Sequence, residues 1–354
     1  MGCETSAAHR RKDRAVDATP GLDPDRLATW LAEARPGLVA GPLRGQLIAG
    51  GRSNLTFEVT DGKSAWIVRR PPLGHVLATA HDMGREYRVM TALRDTEVPV
   101  PATYALCEDP EILGAPFYVM ELVPGIPYRA AAELVPLGPD RTAAISAEVV
   151  DTLAALHRVD PQAVGLGEFG RPDGFLERQV RRWRKQLDAS RSRDLPAADE
   201  LHALLAKHQP PQSPTGIVHG DYRLDNVLVD DADRITAVID WEMSTLGDPL
   251  TDLGLMVVYQ RAGDLGMPGA NDATTAPGIL PEAEVLDRYA RRSGRDLSRI
   301  GFYIALASFK LAVIAEGIHY RHLQGKTVGD GFETIGAMVD PLLRAGIAAL
   351  TDEN

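Results

Sequence analysis

The chain has 354 residues, 44% of them apolar and 25% charged, with a formal net charge of -11. That length exceeds what one small core organises and suits two lobes, while the acidic balance argues against the basic surface that a nucleic-acid partner requires. Its two cysteines, Cys3 and Cys107, lie far apart and outside any metal-ligand spacing, which excludes a disulfide framework and fits a reducing cytoplasm.

Residues 1–20 read as a polar tail, and no signal peptide is read ahead of the first globular segment. The opening MGCETS matches the myristoylation pattern M-G-x-x-x-[ST], with Cys3 placed for a second acyl chain; a plain polar tail explains the same residues. From Leu38 to Leu122 short β-like runs (GQLIAG, NLTFEVT, AWIVRR, FYVMELV) surround one helix, DMGREYRVMTALRD. On that helix Met83, Tyr87, Met90 and Leu93 share a face, and Glu86 falls one position off it. Pro and Gly in VPGIP, Val123 to Pro127, break the pattern and set a boundary between residues 21–122 and 123–354.

Beyond Arg141 the periodicity is mostly helical, with Ile145, Val149, Leu153 and Leu156 marking one face. In DGFLERQVRRWRKQLDASRSR, Phe175, Val180, Trp183 and Leu187 form a stripe, and Arg178, Arg181, Arg182, Arg184 and Lys185 crowd the remainder. Such a helix could receive phosphates; a solvated face is the plainer reading of it. The run FYIALASFKLAVIAEGI from Phe302 carries Lys310 and Glu316 and is short of a bilayer span, so it reads as a buried helix and no stable membrane association is expected.

One β exception interrupts the helical half. The runs NVLV and ITAVID are joined by DDADR, a hairpin signal, and they follow IVHGDYRLDN. A turn centred near Ala232 sets Asn226 opposite Val238 and leaves Asp240 beside it, so two residues fourteen apart in sequence meet. An Asn carbonyl and an Asp carboxylate are hard donors of the kind Mg²⁺ takes when phosphate oxygens complete its shell. Asp221, in the loop before the hairpin, is a carboxylate placed to accept the proton of an attacking hydroxyl. A base, a metal Asn and a metal Asp are the parts that phosphoryl transfer from ATP requires. A polar turn between two strands is the plain alternative.

HGDYRLDN followed by IDWE resembles the catalytic motif of the aminoglycoside phosphotransferase and choline kinase group. The resemblance implies an α+β, two-lobed, protein-kinase-like fold, with a β-rich N-lobe carrying one key helix and an α-rich C-lobe carrying a catalytic hairpin. It implies ATP and Mg²⁺ as cofactors, Asp221 as the catalytic residue, Asn226 and Asp240 on the metal, and His219 and Asp252 as structural supports of the loop. In the N-lobe, GGRSNLTF matches the place of a phosphate-covering loop, with Ser53 and Asn54 offering donors. The phosphate-binding Lys is expected in AWIVRR, where this chain departs from the pattern with Arg69. Arg keeps the charge and changes the geometry. Glu86 is the expected helix partner, and Glu121 to Val123 the backbone facing adenine.

The best-matching stretches, RRPPLGHVLATAHDMGREYRVMTAL and IDWEMSTLGDPLTDLG, are most similar to kinase-like domains fused ahead of acyl-CoA dehydrogenases. That branch implies a small-molecule acceptor hydroxyl on an acyl group, such as a hydroxyacyl-CoA. An aminoglycoside 3'-type phosphotransferase conferring antibiotic resistance is the alternative. A non-catalytic pseudokinase is the alternative of another class, supported by Arg69 and opposed by Asp221, Asn226 and Asp240.

Overall fold

The computed structural model describes residues 19–48, 54–73, 82–264, 272–327 and 331–351. The chain divides into two compact units, Met1–Met83 with Tyr104–Met120 and Gly84–Thr103 with Glu121–Asn354. In chain order the elements are α1 (Pro24–Ala34), β1 (Arg44–Leu47), β2 (Leu55–Thr60), β3 (Ala65–Arg70), α2 (Met83–Leu93), β4 (Thr103–Cys107), α3 (Pro110–Leu113) and β5 (Phe117–Glu121). There follow α4 (Ala131–Leu134), α5 (Pro139–Arg158), α6 (Phe175–Ser190), α7 (Pro196–Lys207), β6 (Gly216–Val218), β7 (Val227–Val229), β8 (Ile235–Val238), β9 (Thr245–Gly247), α8 (Leu250–Asp264), α9 (Glu282–Ser293), α10 (Ile300–Leu323) and α11 (Val339–Thr351). The fold class is the mixed α+β one expected from the sequence, sheet first and helices after.

The first unit is a five-stranded sheet in the order β1-β2-β3-β5-β4. Alternation in β2 buries Phe57 and Val59, while β3 is buried along nearly its whole length, as for a strand packed on both faces. Helix α1, which the sequence reading did not identify, covers this core with Leu27 and Leu31, one turn apart on a single stripe. Its start was legible: Asp23 accepts from the N–H groups of Asp25 and Arg26 at 3.1 and 3.0 Å, and Pro24 takes the first helical position.

In the second unit, Ile145, Val149, Leu153 and Leu156 of α5 and the stripe Phe175, Val180, Trp183 and Leu187 of α6 are buried as their periodicity required. The cationic remainder of α6 is largely engaged locally. Arg184 pairs with Asp188 and Asp199, Arg181 with Glu177, and Arg178 donates to the carbonyls of Asp173 and Arg171. Helix α10 is longer than its apolar run suggested, 24 residues, and a stretch of 18 residues within it, with a mean hydropathy of 1.5, makes it long and apolar enough to cross a membrane. Inside the molecule 78% of that stretch is buried, against α6, α7, α8 and α11. On α2 the buried residues are Met83, Glu86, Val89, Met90 and Leu93. Glu86 therefore lies on the core face of the helix rather than beside it, and half-buried Tyr87 marks the edge.

Candidate active site

The hairpin forms as expected, with its register displaced by one residue. Val229 faces Ile235, yet Leu228 faces Ala237 and Val227 faces Val238, because Thr236 is the extra residue of a bulge. Its hydroxyl lies 2.9 Å from the carbonyl of Pro124 and 3.2 Å from that of Leu228. The turn-proximal register alone would set Asn226 against Val238; after the bulge, Asn226 stands against Ile239, whose N–H donates to its carbonyl at 2.9 Å. Asp240 is the next residue, in the left-handed region with φ 66° and ψ 58°. Asp tolerates that conformation better than most side chains. The buried Trp241 indole, donating to the Val238 carbonyl at 2.9 Å, pins the chain just beyond it.

The loop before the hairpin leaves β6, which pairs antiparallel with β9. Asp252, 1% exposed on α8, accepts from the N–H groups of His219 and Gly220 at 2.6 and 2.8 Å. His157 donates to the same carboxylate from Nε2 at 3.3 Å, and its Nδ1 lies 2.6 Å from the Tyr289 hydroxyl. Burial lowers the proton affinity of His157 although Asp252 opposes this. Burial works against the charge of Asp252, and the hydrogen bonds from His157 and Gly220 outweigh it and keep its carboxyl below the usual range. His219 accepts the Asp221 N–H at Nδ1, 3.3 Å, and so donates from Nε2 to the Ile239 carbonyl at 3.0 Å. Its ring packs at 4.6 Å from that of Trp241. His219 thus ties the loop to the hairpin end through backbone groups. Gly220, at φ +88°, has no room for a side chain, since a Cβ there would lie 2.7 Å from the Cβ of Met243.

Asp221 has both carboxylate oxygens engaged. Oδ1 accepts from the Tyr259 hydroxyl at 2.6 Å, and Oδ2 accepts from the Asn226 amide at 3.2 Å. The same amide nitrogen donates to the Asp221 carbonyl at 2.9 Å, which leaves the Asn226 carbonyl oxygen as its donor atom for a cation. Arg223 Nε is 4.0 Å from Oδ2, while its Nη2 pairs with Asp225 at 2.6 Å and its guanidinium lies 5.0 Å from the centre of the Tyr259 ring. Lys310, from α10, donates to the Gly220 carbonyl at 2.8 Å and sits 5.8 Å from the centre of the Trp183 ring. Burial lowers its proton affinity, and Asp221 and Asp252 oppose the shift. Sequence reading did not identify Tyr259, Arg223 or Lys310 as members of this site. Asp252 and Tyr259 are seven residues apart, two helical turns, so the signal for Tyr259 was its alignment with Asp252 on one face of α8.

The remaining candidates are placed as follows. Ser53 lies outside the described residues. Asn54, just before β2, is 3% exposed. Arg69 faces Thr56 across the β2–β3 pair and is 8% exposed. Arg70 beside it holds backbone instead, donating to the carbonyls of Gly21 at 3.0 Å, Pro71 at 3.1 Å, and Leu113. Glu121 has its own N–H bonded to the Ala102 carbonyl at 2.8 Å and its carboxylate on the Ala102 N–H at 3.1 Å. Val123 follows at the end of that segment, half-buried.

Among the described residues no three His, Cys, Asp or Glu side chains gather as a closed metal site. The oxygens of Asn226 and Asp240 suit a hard divalent cation that takes the rest of its shell from phosphate. The phosphotransferase enzyme family (APH) matches residues 44–303. Acyl-CoA dehydrogenase family member 11 of Gallus gallus is 34% identical over 92% of this chain, which spans 43% of that protein's length. A "putative aminoglycoside phosphotransferase" of Ralstonia eutropha is 36% identical, with a TM-score of 0.82 over 93% of this chain and 98% of that one. An aminoglycoside phosphotransferase solved with AMP-PNP and hygromycin B shares the fold at 17% identity, with a TM-score of 0.59 over 90% of this chain and 98% of its own. With its kinase-like α+β fold and a match over most of its length, the chain belongs to the phosphotransferase enzyme family.

Proposed function

We propose that the chain transfers the γ-phosphate of ATP, in the presence of Mg²⁺, to a hydroxyl of a small molecule, and that the acceptor is a hydroxyacyl compound such as a hydroxyacyl-CoA. The observation that carries this reading is the joint placement of Asp221, Asn226 and Asp240. The Asn226 amide fixes the Asp221 carboxylate, and the Asn226 backbone is bonded to the residue before Asp240. Asp221 accepts the proton as the acceptor oxygen bonds to phosphorus. Asn226 and Asp240 would hold Mg²⁺, which supplies positive charge to the phosphate oxygens. His219 and Asp252 keep the loop in register by bonds to its backbone.

Two observations support the acyl acceptor. Arg223 and Lys310 put cationic groups close to Asp221, surroundings that disfavour a polycation such as an aminoglycoside. The acyl-CoA dehydrogenase name of the Gallus gallus relative points the same way, whereas the Ralstonia eutropha neighbour's name supports the aminoglycoside reading. A panel of hydroxyacyl-CoAs, aminoglycosides, choline and homoserine separates the two. Turnover of hydroxyacyl-CoA alone is the expected result, and turnover of aminoglycosides alone would remove the acyl reading. Asp221→Ala is expected to lower turnover by roughly 10²–10⁴, about 3–5 kcal/mol of barrier.

A further inference from the structure

Asp221 offers two oxygens, and they are not equivalent. Oδ2 faces the Asn226 amide at 3.2 Å and Arg223 Nε at 4.0 Å, two groups belonging to the loop and hairpin. Among the described residues Oδ1 meets one partner, the hydroxyl of Tyr259, at 2.6 Å. That is an O–H donating to a carboxylate at the short end of the usual range, the same interaction a reacting alcohol makes with its base. The Asp221 side chain is 30% exposed, so solvent can reach it.

Tyr259 is held for this position. It projects from α8, which is fixed two turns earlier by Asp252 against the His219 and Gly220 N–H groups. Its ring lies under the Arg223 guanidinium, which Asp225 anchors in turn. Burial, with the Asp221 charge beside it, raises the proton affinity of the phenol well above its ordinary value and keeps it a donor.

We propose that Tyr259 is a positioning residue whose hydroxyl occupies the place of the acceptor hydroxyl on Asp221 Oδ1, and so keeps water from the base until an acceptor displaces it. The proposal rests on the reading of Asp221 as the base. The reaction it suppresses is hydrolysis of the nucleoside triphosphate. The water oxygen bonds to the γ-phosphorus while the bond from phosphorus to the β,γ-bridging oxygen breaks, its electron pair leaving on the diphosphate. One water proton passes to Asp221 and then to solvent. With Tyr259 on Oδ1, the water has to compete with the phenol for that oxygen.

The test measures ATP hydrolysis by the full chain with Mg²⁺ and no acceptor, with AMP-PNP affinity by calorimetry as a second readout. Tyr259→Phe removes one oxygen and keeps the ring. Acceptor-free hydrolysis is expected to rise on the order of tenfold while AMP-PNP affinity stays at the wild-type value. Replacing Tyr259 by 4-aminophenylalanine, which returns a donor to the same place, is expected to restore the low rate. Hydrolysis that falls or stays unchanged in Tyr259→Phe, with AMP-PNP affinity retained, overturns the proposal, as does failure of the amino analogue to restore the low rate. Should Tyr259→Phe lose AMP-PNP binding, the amino analogue decides: a rate above wild type there counts against the proposal. The Asp221→Ala variant separates this failure from failure of the underlying reading, because a hydrolysis gain that persists in Asp221→Ala/Tyr259→Phe removes Asp221 as the base.

Discussion

At the scale of single residues the site is built from groups that each fix one atom of the loop. The Gly220 peptide is the clearest case: Asp252 takes its N–H and Lys310 its carbonyl, at 2.8 Å each. That carbonyl belongs to the peptide leading into Asp221, so the ammonium of a distant helix orients the base. Lys310→Met keeps the stem and leaves the carbonyl without this donor. The expected cost is about 1–3 kcal/mol in denaturant unfolding, together with lower turnover and unchanged AMP-PNP affinity. Wild-type turnover in Lys310→Met would remove Lys310 from the support of the loop.

At the scale of elements, α5, α8 and α9 meet in one buried polar joint in which Tyr289 donates to His157 and His157 donates to Asp252. His157 is 2% exposed, and its burial lowers its proton affinity below the ordinary value of 6.5. Below pH 6.5 the unfolded chain therefore binds more protons here than the folded one. The stabilisation is complete above 6.5 and is lost as pH falls toward the lowered value, at up to about 1.4 kcal/mol per pH unit. Urea unfolding across this interval is expected to show that slope, and His157→Gln, less stable overall, is expected to show a flatter one. How far such joints were legible in the sequence depends on distance along the chain. Asn226 and Asp240 flank one hairpin and Asp221 lies in the loop just before it, so alternation with turn chemistry brought them together, apart from the Thr236 bulge that shifts the register by one. Tyr259 reaches Asp221 across 38 residues and Lys310 reaches Gly220 across 90. Contacts of that span are set by helix packing, which periodicity assigns to a face without naming the neighbour. The three-residue strands β6 and β9 were too short to show a period, and Glu86 was misplaced because an apolar stripe drawn through Tyr87 runs one residue off the buried face.

At the scale of the whole molecule an acidic chain, net charge -11, places Arg223 and Lys310 beside its candidate base. Under the proposed reading these two cations are expected to favour an acceptor that is neutral or anionic at its reacting end. In the proposed reaction phosphate passes from ATP to a hydroxyl with Asp221 as base. This is tested most directly by following phosphate transfer to the hydroxyacyl-CoA and competing acceptors by phosphorus NMR, with Mg²⁺, in wild type and Asp221→Ala side by side. A phosphate ester on the acyl acceptor's hydroxyl is expected in wild type, formed roughly 10²–10⁴ times more slowly by the variant. Equal rates in the two proteins, or no ester on any acceptor, would contradict it.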